Sequence, residues 1–373
     1  MQTRVFLLIA IVAAAAVFFA ARLISNDYVF FAGYTVLQFV VLATAWNILG
    51  GYTGYVNFGS AAFFALGAYS TVALHKFSPQ VYRRWVDDMP DWFSSSVHSV
   101  IDPVVQALFP LSIPTLIVIG GIISAIVGLG TGYLTLRLRG AFFAIATLAL
   151  AVVLQTFIVN WDYVGGSRGA YIIRPNELEV EPWLLSTWTA VKGLLPAWLA
   201  STTPISYIQY LFLLMLVLVV IALTVARGIE RSQLGYGFAT IRDDELAAEA
   251  SGVPTLKLKL IATTLSGALM GMAGAPFPYY IGYLQPSSAF GLEYAVNSIA
   301  MPMIGGTTSW AGPLIGAILL GSLQQYVTVT ISSSVNVLIV GLLLIVFVII
   351  APSGIIGLVQ GWLRRAQAGQ GGK

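Results

Sequence analysis

The chain has 373 residues, of which 58% are hydrophobic and 9% charged, whereas soluble domains carry about 25% charged residues. So few charges cannot cover a water-soluble surface, and the main solvent of this chain is lipid. A net charge of +3 without a basic stripe excludes a nucleic-acid partner, the lack of cysteine excludes disulfides and thiolate sites, and two histidines, His75 and His98, make imidazole clusters improbable on composition.

A bilayer core of about 30 Å needs about 20 apolar helical residues. In chain order, charge-poor stretches of that length run over 5–25, 28–49, 55–75, 113–136, 140–160, 207–226, 258–281, 291–309, 311–331 and 335–351. These predict an all-α, polytopic integral membrane protein of about ten transmembrane helices, some interrupted, forming a single transmembrane domain over 1–373. The first stretch has the Arg4 flank and the small residues of a cleavable signal, but its apolar run outlasts the about 7–15 residues of a signal core, so a retained span is expected. The eighth is the least regular, beginning near Glu293 and containing Pro302.

Orientation follows from the cations. Arg4, Arg137, Arg139, Arg227, Arg231, Arg242, Lys257, Lys259, Arg364, Arg365 and Lys373 fall on one side, mostly in short loops and tails. Those loops dominate the positive-inside rule and predict cytoplasmic N and C termini. The segments 76–112 and 161–206 are then long extracytoplasmic loops. The first carries Trp85 and Trp92 with Asp87, Asp88 and Asp91; the second carries Trp183, Trp188 and Trp198 with Glu177, Glu179 and Glu181. Interfacial anchoring explains such tryptophans, and docking of an outer partner is the sharper alternative. The tail 366–373 reads as disordered.

No G-x-x-x-x-G-K-[ST] phosphate cradle occurs, so any ATP that drives the chain is bound elsewhere. Ion coupling asks for acids inside the spans, where an ionised group costs about 2.5–3.5 kcal/mol on insertion scales. Glu293 is the one acid there, near a span end from which it can reach water. The largest inner polar segment, 228–257, predicts a short helix: Asp243 and Asp244 complement its N-terminal dipole, Ala247, Ala248 and Ala250 favour helix, and Gly252 and Pro254 stop it. It reads as an exposed charged helix or as a docking element with Arg242, Glu245 and Glu249 as orienting contacts.

Glycines punctuate two places. Gly51, Gly54 and Gly59 lie between the second and third spans, and Gly305, Gly306 and Gly312 with Pro313 between the eighth and ninth. Broken backbone at membrane depth persists where protein or a watery cavity satisfies its amides, and the exposed helix ends can hold a substrate's charged groups. Tyr55, Asn57, Ser60, Glu293, Asn297 and Ser298 are therefore candidates for the substrate pathway. Close helix packing through small residues is the plainer use of such glycines.

Four ordered motifs carry a resemblance: GYTGYVNFGSAAFFALGAY over 51–69, LRLRGAFFAIATLAL over 136–150, IRDDELAAEASG over 241–252 and GGTTSWAGPLIG over 305–316. Together they resemble the inner-membrane permeases of ABC importers for branched-chain and other neutral amino acids, in a superfamily that also holds urea and sugar permeases. The resemblance implies a chain with no catalytic residue, cofactor or metal of its own. It implies that Arg242, Asp243, Asp244, Glu245, Ala248, Glu249 and Gly252 form a coupling helix docking an ATPase. It further implies a second, homologous permease subunit, two ATPase subunits carrying ATP and Mg, an extracytoplasmic substrate-binding protein, and residence in a bacterial inner membrane. Two positions depart from the family's usual residues: Ser60 stands where histidine is common, and Asn297 where an acid is common, with Glu293 one helical turn away. The substrate stays open between amino acids, urea or amides, and sugars; an ion-coupled secondary transporter is the rival reading.

Overall fold

The computed structural model describes residues 3–24, 26–77, 86, 111–135, 138, 140–172, 205–330, 338, 341–342, 345–346, 349 and 354–358. Thirteen helices follow one another in the continuous part: α1 (Thr3–Leu23), α2 (Asp27–Thr53), α3 (Ser60–Lys76), α4 (Ile113–Thr135), α5 (Ala141–Val159), α6 (Tyr207–Glu230), α7 (Gln233–Asp243), α8 (Glu245–Ala250), α9 (Thr255–Gly274), α10 (Phe277–Ile281), α11 (Pro286–Ala289), α12 (Leu292–Gly305) and α13 (Ala311–Thr330). Two-residue strands, β1 (Ala170–Tyr171) and β2 (Tyr283–Leu284), pair antiparallel with Ala170 opposite Leu284. The protein is an all-α polytopic integral membrane protein, as its composition requires.

Among the described residues, seven helices are long and apolar enough to cross a membrane: α1, α2, α4, α5, α6, α9 with its extension to Ile281, and α13. They match seven of the predicted spans. The third and eighth predicted spans correspond to α3, with 17 residues, and α12, with 14. At 1.5 Å per residue α12 reaches only about 21 Å, short of a full crossing, because Gly291 begins it and Gly306 ends it. The last predicted span, 335–351, lies mostly outside the described residues. So do Arg137, Arg139, His98, the tail 366–373, and the tryptophans and acids named above in the two long outer loops.

Burial sorts the helices. α2 is enclosed on all sides from Gln38 to Leu49 and forms the central post, with α9, α6, α13 and α12 against it and α4 packed along α9. A helix apolar all round belongs in such a place. α1 and α5 instead turn large apolar side chains outward, among them Leu8, Val12, Ile145 and Phe157, which is stable only against lipid. Small residues let the inner helices touch through backbone: a Cβ on Gly305 would collide with the Gly312 carbonyl, and one on Gly67 with the Gly271 carbonyl.

One end of the stack gathers several chain segments. The Asn47 side-chain amide near the end of α2 donates to the Thr307 carbonyl at 3.1 Å. The Trp310 backbone N–H donates to the Glu230 carboxylate at the end of α6 at 2.8 Å, and Phe6 of α1 packs edge-on against the Trp310 ring at 4.9 Å. Gly354 lies against Gly306. The start of α1, the residues 354–358 and the α7–α8 segment that follows α6 therefore share one end. The β1–β2 ladder and the His75–Tyr279 contact, at 3.0 Å, lie at the other.

Candidate functional site

The site starts at the break between α2 and α3. Helix α2 ends because Gly54 takes a left-handed conformation, φ 77°, which side-chain-bearing residues adopt only at a cost. Arg242, at the end of α7, lies directly against Gly54. The irregular stretch 55–59 is fastened from inside: the Trp46 indole N–H donates to the Asn57 carbonyl at 2.9 Å, the Gly59 N–H donates to Asn57 Oδ1 at 2.8 Å, and the Phe58 N–H donates to Thr147 Oγ1 of α5 at 3.2 Å. These three backbone groups are thus met by protein, as broken backbone within a membrane requires.

Below the break lies a buried ion pair. Asp244 caps α8, accepting from the N–H groups of Leu246 and Ala247 at 2.9 and 3.1 Å, and this cap sets the rotation of the helix. Glu245 and Ala248 turn inward, whereas Arg242, Asp243, Asp244, Glu249 and Gly252 are exposed together with Leu246. Lys259 Nζ donates to Glu245 Oε1 at 2.6 Å, with the lysine side chain 3% and the glutamate 13% exposed. Tyr55 completes the knot. Its hydroxyl donates to Glu245 Oε2 and accepts from Lys259 at 3.2 Å, and the lysine also lies 4.7 Å from the centre of its ring. Each charge is met by a charge and a hydroxyl, the condition under which a buried pair is tolerated. Alongside, Thr255 donates to Glu249 at 2.9 Å and joins the end of α8 to the start of α9.

Phe143 of α5 packs edge-on against Tyr55 at 5.0 Å and also lines a narrow cleft with Asn57, Phe63, Thr131, Thr147 and Thr263. Its cavity volume of about 10 Å3 admits about one water. An amino acid does not fit in it. At the start of α3, Ser60 and Ser298 of α12 approach at 2.9 Å, and Ser298 donates to the Ala295 carbonyl at 2.8 Å. Asn297 is buried and accepts from Gln324 of α13 at 2.8 Å. Glu293 lies in the first turn of α12 and is exposed.

The structure therefore divides the residues singled out in the sequence. It brings Ser60 to Ser298 and puts Asn57 at the neighbouring cleft. It ties Tyr55 to the 241–252 segment rather than to those serines, pairs Asn297 with Gln324, and leaves Glu293 outside both groups. Gly51 packs on Asn47 and Thr307, Gly305 on Gly312, and Gly306 ends α12. Lys259 and Gln324 went unrecognised in the sequence. The signal for Lys259 was present, a full charge within the predicted span 258–281. Gln324 had no comparable mark, since a neutral amide in an apolar helix is unremarkable until its partner is known. Among the described residues no group of three or more His, Cys, Asp or Glu could hold a metal ion.

The family described as "Branched-chain amino acid transport system / permease component" matches residues 28–348. The chain is 25% identical over 332 residues to the high-affinity branched-chain amino acid transport system permease protein LivM of Salmonella typhimurium, covering 87% of this chain and 69% of that protein. It is 25% identical over 336 residues, with the same coverage, to LivM of Escherichia coli. The autoinducer 2 import system permease protein LsrC of an Enterobacter species is 27% identical over 185 residues, 49% of each chain. No solved structure matches. With a match over most of its length and helices able to cross a membrane, the chain belongs to the family of permease components of branched-chain amino acid transport systems, and it is a membrane transport component rather than an enzyme.

Proposed function

We propose that this chain is the membrane-spanning subunit of an ATP-driven importer that carries branched-chain or other neutral amino acids into the cytoplasm. It works beside a second, homologous permease in a bacterial inner membrane. ATP and Mg bind two partner ATPase subunits, and a soluble binding protein delivers substrate from outside. The end that gathers α8, the start of α1 and residues 354–358 faces the cytoplasm, and both termini lie there.

The observation that carries this reading is the knot of Tyr55, Glu245 and Lys259. The outer face of α8 and its flanks, with Arg242, Asp243, Asp244, Leu246, Glu249 and Gly252, is exposed, where an ATPase can meet it. Its inner face is fixed by Glu245 to the break between α2 and α3. A movement imposed on α8 by nucleotide-driven closure is passed through Glu245 to Tyr55, from Tyr55 to Phe143, and so to the cleft at Asn57. Coupling of this kind requires nucleotide and substrate to favour different arrangements of one element, and the 55–59 stretch is that element. Ser60, Ser298 and Asn297 offer neutral hydrogen-bonding groups for a substrate's carboxylate and ammonium, and Phe63 and Phe143 offer apolar wall for its side chain.

The test is the variant Glu249→Arg with Gly252→Trp. Both sites are exposed, but Glu249 accepts from Thr255 and Gly252 has φ 82°, so membrane insertion of the variant is checked first. The variant is expected to insert normally but to lose both co-purification of the ATPase and uptake. Normal uptake together with normal co-purification would remove α8 as the coupling element.

A further inference from the structure

The reading above uses the cytoplasmic end of the stack through α8 and leaves another charge at that end unassigned. Arg227, in the last turn of α6, is 6% exposed. Its guanidinium lies over the Phe6 ring at 4.0 Å and the Trp310 ring at 5.4 Å. Glu230, three residues on in the same helix, accepts from the Trp310 backbone N–H. Among the described residues Arg227 forms no ion pair, and its Nε is enclosed without an acceptor. The aromatic faces and the C-terminal dipole of α6 offset part of the cost of burying this cation. They do nothing for the enclosed Nε–H, because a ring presents no lone pair in the guanidinium plane, and a guanidinium can only donate. A buried cation with an unpartnered Nε–H favours an anion beside it.

Position narrows the anion. Arg227 stands at the end of the helix that leads into α7, hence at the membrane boundary, and one wall of its pocket is Phe6 of α1, whose outer side is apolar and exposed. Arg4 and Arg231, both exposed, lie on the same two helix ends and add positive potential. A planar fork of donors matches phosphate oxygens better than a point charge does. We propose that Arg227, held between Phe6 and Trp310, is a binding site for a phosphate-class oxyanion, whose source at this depth is the headgroup of an anionic phospholipid of the cytoplasmic leaflet. A bound headgroup joins α1 to α6 and to the start of α13, so lipid occupancy stiffens the end of the stack against which α8 moves. The site does not depend on what the permease carries.

The experiment uses the full chain in nanodiscs of phosphatidylcholine with phosphatidylglycerol. The protein is transferred to neutral detergent, and the retained lipids are counted by native mass spectrometry. A charge-assisted phosphate contact predicts retention of phosphatidylglycerol over phosphatidylcholine by about tenfold, falling to parity in Arg227→Gln and to an intermediate ratio in Arg227→Lys. Inorganic phosphate is added in a parallel arm. Displacement of the retained lipid by phosphate, or phosphate binding that Arg227→Gln abolishes, supports the oxyanion site and shows that it also takes a soluble source. Wild-type protein at parity with no phosphate binding overturns the proposal, as does an Arg227→Gln variant that retains both ligands as the wild type does. Should Arg227→Gln fail to insert, the wild-type ratio and phosphate binding decide alone.

Discussion

Two neighbouring regions of this permease bury polar groups by opposite means. At the foot of the stack, α8 is joined to the break after Gly54 by full charges, Glu245 and Lys259, with the Tyr55 hydroxyl between them. Between α3, α12 and α13 the buried groups are neutral: Ser60 with Ser298, and Asn297 with Gln324. A neutral hydrogen bond contributes only about 0.5–1.5 kcal/mol net, so it can be exchanged for a substrate's groups without a large barrier. Breaking a buried ion pair by losing one partner costs about 3–5 kcal/mol, so Glu245 and Lys259 hold together while the parts around them move. Under the proposed function, charge stands where protein pulls on protein, and neutral groups stand where a ligand is to pass.

The largest effect comes from unbalancing the charged region. Lys259→Met leaves Glu245 enclosed without its cation, and a stability loss of about 3–5 kcal/mol is expected, read as a lowered midpoint in thermal denaturation of the purified chain, with uptake abolished. A variant as stable as the wild type would mean that Glu245 finds water. Gly54→Ala is expected to cost about 1–2 kcal/mol, because alanine resists φ 77° and its Cβ would press on Arg242. The same denaturation reads it, and uptake falls because the break is displaced against α7. The smallest effect belongs to the neutral region: Gln324→Leu removes the donor to Asn297 and is expected to cost about 0.5–1.5 kcal/mol. It changes the KM for uptake more than ATP hydrolysis, and equal loss of both would place Gln324 in the coupling path instead.

How much of this could be read beforehand follows from how local each signal is. The spans were legible because a lipid solvent writes itself into composition over about 20 residues at a time. The shortness of α12 was half legible: Pro302 and the Gly305–Gly306 pair marked an irregular segment, but the helix starts at Leu292 only because the chain turns at Gly291. Helix α8 was legible in place but not in bounds: Asp244 and Gly252 are local start and stop signals, yet Arg242 and Asp243, read as part of the same helix, end the separate helix α7. The partner of Glu245 was not, because Lys259 lies on another helix and no period relates them. Tyr55 shows the same limit: its glycine-rich surroundings marked a break, yet the hydrogen bond to Glu245 spans 190 positions of the chain and arises only from packing. Arg227 read as one more inner cation until Phe6 and Trp310 closed over it.

The most direct test of the central claim is the double variant Glu245→Leu with Lys259→Met, assayed in vesicles with the ATPase partners and the binding protein. Replacing both charges with apolar side chains of similar size leaves no orphan and restores most of the stability lost in Lys259→Met, but it removes the tie between α8 and Tyr55. The account predicts ATP hydrolysis near the wild-type rate with uptake lost. Uptake that keeps pace with hydrolysis in this variant would contradict it.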